Sequence, residues 1–392
     1  MAILAAVAAA SPASALFNDR LELWAAENVT HDTNVLRLSK SLSPQSVGAT
    51  QRSDTIYTTH VGATANVPVS QQLFVAEYTR YRSQYRYFKD LNFTGHTARA
   101  HWQWVWGQDK NGTLGYVESE GLSAFSNIQA RAPDLVISRQ AYWTGGWLFT
   151  PRWRANGALT AAEVRHSDPA RKPNDLDTQV GELGLSHITP LDNSIGIFSR
   201  YEHGQIPSAV PLAGFPAGFD NEYQQYGMGG AIVWVPAGHS RFVGRVEGVH
   251  REYKQATQRN FRGPILRVLY TWTPTSKLTI LSALNRDVGP AEEIQTSFVL
   301  VTGGYIRPRW QVTEKVAVQG NMEYNRYAYH GDRSIVGANF SHRVWTVGAK
   351  ADYRPTTKIL LSAGVNREVR ASDLATGDYE VTVGFVEGRI GF

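Results

Sequence analysis

The sequence predicts an all-β chain closed into a transmembrane antiparallel β-barrel, with eighteen strands as the first reading and sixteen as the alternative. Three observations predict it. Segments of roughly eleven to fifteen residues alternate apolar and polar side chains, the period-two pattern of a strand whose faces meet different surroundings. The connections alternate as well, tight Pro, Gly or Asn turns on one side and longer polar loops on the other. The final stretch, Asp378 to Phe392, alternates and stops on an aromatic residue, as the closing strand of an outer-membrane barrel does.

Composition fits. The 392 residues include 35 Gly, 11 Trp and 18 Tyr, and no Cys. Mean hydropathy is −0.31, and no apolar run long enough for a transmembrane helix follows the first residues. A barrel escapes that requirement because lipid-facing apolar residues are averaged with lumen-facing polar ones. The absence of Cys excludes disulfides and thiolate metal sites. A formal charge of +5, without a basic run, gives no argument for nucleic acid.

In order along the chain, residues 1–15 are expected to be a signal peptide. A short apolar core ends in Ser11-Pro12-Ala13-Ser14-Ala15, an Ala-x-Ala pattern, although no Lys or Arg precedes Arg20. Residues 16–392 then form one barrel domain. The first strand is read over Asp19 to Val29 and is followed by a long loop through Gln51. Ser53 to Val67 and Gln71 to Tyr85 pair about a short turn. Asn92 to Trp106 is the clearest strand: Trp102, Trp104 and Trp106 share one face, as an interfacial girdle requires, and Arg99, His101 and Gln103 share the other. Asn111-Gly112 marks the next turn, followed by Thr113 to Ser123, Leu135 to Phe149 and Arg152 to His166. In that last strand Arg152 and Arg154 oppose Trp153 and Ala155.

Val180 to Ile188 and Ser194 to Gly204 come next, then the longest interior loop, Gln205 to Asp220. Tyr223 to Val235 leads into Arg241 to Tyr253, whose polar face carries Arg241, Arg245, Glu247 and Arg251. The remaining strands are Phe261 to Trp272, Lys277 to Asp287, Gln295 to Ile306, Lys315 to Tyr329, Asn339 to Tyr353, Lys358 to Arg370 and the closing strand. Starting and ending on the tight-turn side puts both termini in the periplasm, with short periplasmic turns and longer extracellular loops.

No catalytic constellation emerges. The 11 His show no metal-ligand spacing, no Gly-x-Ser-x-Gly elbow occurs, and no cofactor or metal is expected. The informative set is the polar face. Arg99, His101, Gln103, Arg152, Arg154, Arg200, Arg241, Arg245, Arg251, Arg267, Asn321, Glu323 and Lys350 oppose the apolar faces. A charge at the bilayer midplane costs about 2–4 kcal/mol on the lipid side, so these groups are expected to line a polar, net-basic lumen. The alternative reading, structural pairing with Glu118, Glu202, Glu247, Glu323 and Asp352, stays open.

Several stretches, in this order, resemble the EpsL-type outer-membrane proteins found with exosortase-associated exopolysaccharide loci. They are Asp19-Arg20-Leu21, then Glu27 to Leu38 with Asp32, Asn34 and Arg37, then Arg52-Ser53-Asp54-Thr55. Ser194-Ile195-Gly196 with Arg200-Tyr201, Tyr270 to Thr279, Pro308-Arg309-Trp310 and Phe392 follow. The resemblance implies a barrel in the Gram-negative outer membrane that helps make or export a polysaccharide. It supplies no catalytic residues. The partners it implies are a polysaccharide or oligosaccharide, outer-membrane lipid, periplasmic and inner-membrane export machinery, and a barrel-assembly complex that reads Phe392. An uptake porin, general or sugar-specific, and a plugged structural barrel anchoring a synthesis complex are the rival readings.

Overall fold

Strict alternation leaves each strand with one apolar and one polar edge of side chains, and neither face can be hidden while the sheet has free edges. The computed structural model shows how the chain resolves this. It describes residues 20–128, 131, 133–191, 193–207, 222–254, 260–290, 296–331 and 339–392. The expected signal peptide and most of the loop read at Gln205 to Asp220 lie outside these residues. Eighteen antiparallel strands form one sheet, each paired with its chain neighbours. β1 (Leu21–Asp32) also pairs with β18 (Tyr379–Gly391) and closes the barrel. The amide of Phe392 donates to Leu23 O at 2.8 Å and completes the seam at the end where β1 begins.

From β2 (Asp54–Val69) and β3 (Gln72–Tyr85) the chain continues through β4 (Phe93–Trp106), β5 (Lys110–Leu122), β6 (Leu135–Thr150), β7 (Trp153–His166), β8 (Leu176–Ile188) and β9 (Ser194–Gln205). The second half comprises β10 (Tyr223–Ala237), β11 (Ser240–Tyr253), β12 (Phe261–Thr275), β13 (Leu278–Pro290), β14 (Thr296–Gln311), β15 (Val316–Gly331), β16 (Phe340–Tyr353) and β17 (Ile359–Ser372). Short turns follow β2, β4 and every later even strand up to β16. Connections that are longer in most cases follow the odd ones. The turn Ser70–Gln71 is tight enough to hold Ser70 at φ 54°.

Register fixes the faces. Trp102 lies opposite Leu114, which lies opposite Trp143, and then Leu159; the row continues outward-facing around the wall. Leu183 is 71% exposed, Ile197 69% and Met228 73%. Large apolar groups this bare form a contiguous band, which suits hydrocarbon and not water. Trp106, Trp147, Trp153, Trp234, Trp272 and Trp310 edge the band at the short-turn end. Tyr78, Tyr116, Tyr201, Tyr226 and Tyr324 stand toward its other edge. Among the described residues no helix is long and apolar enough to cross a membrane, and in a barrel none is needed.

Three expectations are corrected. Asn111-Gly112 is not a turn but lies in β5, opposite Val105 and Trp104, and the chain turns at Gly107 to Asp109. Arg152 belongs to no strand. β6 extends to Thr150, which pairs with Trp153 after an irregularity, so Pro151 and Arg152 are left as the turn. Glu118 is not in the lumen. It shares the outward face with Tyr116 and Leu114, opposite Ala98 and Arg139. The strands project beyond the apolar band, and there an outward charge meets headgroups or water instead of hydrocarbon.

Candidate functional site

The inner wall is built by the polar positions of every strand. Arg99, His101 and Gln103 all face inward from β4, with Gln103 Nε2 3.3 Å from His101 Nε2. Arg154 faces inward from β7 and donates to Asn111 Oδ1. From β9, Arg200 pairs with Glu202. Arg245 of β11 makes a two-pronged contact to Glu182 at 3.0 and 2.6 Å and lies 3.9 Å above the Phe198 ring. Arg267 pairs with Asp287. Lys350 lies 3.0 Å from Asp352, which also accepts from Ser362 at 2.7 Å. Asn321 and Glu323 are tied together by Arg307, which donates to them at 2.8 and 2.9 Å. Arg241 opens β11 at its short-turn end, opposite Thr271.

Most of the predicted cations therefore stand beside a carboxylate on the same face. The wall is polar, but its positive charge is largely matched, and Glu182 and Arg307 belong to it although the sequence reading did not single them out. Arg251 is the extreme case at 1% exposure. Its Nε donates to Gln225 Oε1 at 2.9 Å, its Nη2 lies 3.5 Å from Glu202 Oε1, and its guanidinium sits 4.1 Å above the Tyr223 ring. Burial of a cation demands such satisfaction. This cluster stiffens the wall of β9 to β11 instead of offering a free charge to a solute.

The more consequential feature is the loop after β1. Asp32 accepts the amide of Asn34 at 2.7 Å and Nη1 of Arg37 at 2.8 Å. The Asn34 side chain spans the turn, donating to Leu38 O at 2.9 Å and accepting Leu38 N at 2.9 Å. Arg37 takes up φ 54°, an uncommon conformation for a residue with a Cβ. Arg52 then donates to the carbonyls of Leu38 and Ser39, each at 2.8 Å, and to that of Leu42. Asp54, also buried, accepts the amides of Tyr87 and Phe88 and so ties in the loop after β3. Around this polar frame Val35, Leu36, Leu38, Ala49, Phe88, Leu91 and Phe125 form an apolar core contributed by three successive long loops.

Arg131 bridges those loops, contacting Asp90 at 2.7 and 2.5 Å and Gly48 O at 2.7 Å. Its guanidinium holds the Asp90 carboxyl below the usual carboxylate range. The assembly lies on the inside of the barrel. Arg370, Tyr379 and Val381 point inward from β17 and β18 and are buried. Arg370 also reaches Ser126 O in the loop after β5, with β18, β1, β2, β3 and β4 between the two strands. The three loops thus pack together into a cap at the long-loop end of the barrel. The sequence displayed Asp32, Asn34, Arg37, Arg52 and Asp54, but nothing in the period-two pattern says that a loop folds inward. Among the described residues, no group of three or more His, Cys, Asp or Glu is placed to hold a metal ion.

The profile of a family described as "Putative beta-barrel porin 2" matches residues 246–392. No curated protein matches the chain. Among solved structures, OccK2 (OpdF) of Pseudomonas aeruginosa aligns at 8% identity and TM-score 0.50, covering 95% of this chain and 98% of its own. OccK1 (OpdK) of the same organism aligns at 9% and 0.49, over 95% and 99%. OccAB3 of Acinetobacter baumannii aligns at 11% and 0.49, over 95% and 100%. At such identities the likeness concerns fold alone. The lipid-facing band and the closed sheet are those of a β-barrel of the Gram-negative outer membrane, porin-like in fold.

Proposed function

We propose that the barrel is a passive channel for small polar solutes, saccharides among them, with passage limited by the extracellular cap. One observation carries the reading. Inner-wall residues Arg370, Tyr379 and Val381 are buried beneath folded loops, in a barrel of a size that otherwise leaves an aqueous channel. The paired charges of the wall, with Asn, Gln and Tyr between them, support weak contacts at many points, which favours passage over capture. The test is planar-bilayer conductance and liposome swelling with saccharides of increasing size. Swelling should fall with solute size, and disrupting the cap should raise the size limit. Conductance near zero in both forms would sink the channel reading and favour a plugged structural barrel.

A second reading, outward passage of an exopolysaccharide with periplasmic and inner-membrane machinery, is favoured by a specific coincidence. Asp32, Asn34, Arg37, Arg52 and Asp54, which carry part of the resemblance to EpsL-type proteins, are the residues that build the cap. This reading requires that a deletion strain lose secreted polysaccharide. Unchanged secretion, with unrelated small solutes passing equally, would remove it. Recognition of the closing strand by a barrel-assembly complex through Phe392 belongs to both readings. Removing Phe392 and measuring folded protein in the outer membrane tests it.

A further inference from the structure

Above the apolar band the outer wall carries charged residues on two sides, which are built differently. On β5 to β8, Glu118, Arg139, Glu163 and Asp177 occupy one register row and alternate in sign except at its last step. Arg139 contacts Glu118 at 3.0 Å and Glu163 at 2.8 Å, and Arg165 contacts Asp177 at 2.6 Å. That row largely neutralises itself.

The opposite side does not. Arg286 lies across from Thr302, Thr302 from Arg326, and Arg326 directly from Arg343. The row holds three guanidinium groups and no carboxylate. Like charges directly opposite on adjacent strands are destabilising. No ion pair of Arg326 or Arg343 occurs among the described residues. Arg286 donates to a carbonyl, Pro264 O, at 3.2 Å. Asp373, in the loop after β17, accepts the Ser341 amide at 3.0 Å and hydroxyl at 2.6 Å; these bonds, with the charge of Arg343, hold its carboxyl below the usual range, and it forms no ion pair with Arg343. Two residues nearer the membrane on the same face, Tyr324 and Trp345 pack with ring centroids 4.4 Å apart. An aromatic pair of this kind marks the interface between hydrocarbon and headgroups.

We infer that the Arg286–Arg326–Arg343 row binds the phosphate groups of an outer-leaflet lipid. The guanidinium fork matches phosphate oxygens in geometry and charge. A phosphate seated between Arg326 and Arg343 converts a repulsive pair into a bridged one. The acyl chains of the same lipid would then lie along Tyr324, Trp345 and the apolar wall beneath, which ties the anion to a lipid and not to a free ion.

The experiment is native mass spectrometry of the detergent-solubilised barrel with bisphosphorylated lipid A, dephosphorylated lipid A and inorganic phosphate as separate probes. Wild type should retain the bisphosphorylated lipid roughly tenfold better than the dephosphorylated one. R326Q/R343Q should lose that preference. E118Q/R139Q, on the neutralised side, should keep it. Heat-modifiable gel mobility verifies that each variant is a folded barrel. Equal retention by wild type and R326Q/R343Q would overturn the proposal. So would equal retention of the two lipids, competition by inorganic phosphate at matched concentration, or a dimer forming through this face in place of lipid binding.

Discussion

Substituting Arg52 by Ala tests the cap most directly. Its guanidinium donates to the carbonyls of Leu38, Ser39 and Leu42, and Leu38 is itself buried. A hydrogen bond from a charged donor contributes about 1.5–3 kcal/mol in favourable cases and about 1 kcal/mol when water can replace it. Three bonds, partly rehydrated in the variant, sum to about 3 kcal/mol. No strand-to-strand bond involves this side chain, so the loss falls on local opening of the cap and not on the barrel. Since about 1.4 kcal/mol is a tenfold change, hydrogen exchange at Val35, Leu38 and Ala49 should quicken about a hundredfold. All three amides are bonded within the cap, Val35 N to Arg52 O at 2.8 Å, Leu38 N to Asn34 Oδ1 at 2.9 Å and Ala49 N to Pro44 O at 3.0 Å. Exchange in β11 and β12 should not change. Single-channel conductance, recorded on the same sample, should rise. If exchange at the three amides stays within a factor of a few of wild type, the cap is not held by Arg52 and the reasoning fails.

Arg370→Met removes the link to Ser126 O across the mouth. Conductance should rise with unchanged far-UV circular dichroism, and an unaltered conductance would place the constriction elsewhere. Glu202→Gln leaves Arg251 buried without its carboxylate partner, at a cost of about 3–5 kcal/mol; a urea unfolding midpoint equal to wild type would refute this. The Asp90–Arg131 link has a defined pH dependence. The folded carboxyl is depressed, so its contribution is fully present above the ordinary Asp value of 3.8 and is lost as pH falls through the lower folded value. Cap opening followed by conductance should therefore show an acid-dependent step, which Asp90→Asn abolishes by leaving the link weakened at every pH. Persistence of the step in that variant would assign it to another group.

Face assignment was legible residue by residue. Arg99, Arg154, Arg200, Arg245, Arg251, Arg267, Asn321, Glu323 and Lys350 all point inward as the alternation requires, because a period of two leaves no freedom once Trp102 or Trp345 is placed outside. Arg152 escaped because an irregularity at the end of β6 moved the turn, which is a matter of local register and not of hydropathy. Glu118 was misplaced for a different reason. Alternation gives the side of the wall, but height above the bilayer depends on how strands are staggered around the closed sheet. Above the apolar band the cost of an outward charge vanishes.

The sequence by itself pointed to an outer-membrane barrel, its turn-side and loop-side ends, and a seam between the closing strand and the first, since these follow from local period and local turn chemistry; the closed sheet decided for eighteen strands over sixteen. Only the tertiary structure decided what the barrel can do. It matched the expected basic lumen with carboxylates, some two residues along the same strand, as Glu202 beside Arg200, and others from different strands, among them Glu182 opposite Arg200 in register yet bound to Arg245. It turned Asp32, Asn34, Arg37, Arg52 and Asp54 from a string of polar loop residues into a cap, and it brought Arg326 and Arg343 together on the outer wall. Those outcomes depend on contacts between residues far apart in the chain, and no periodicity encodes them.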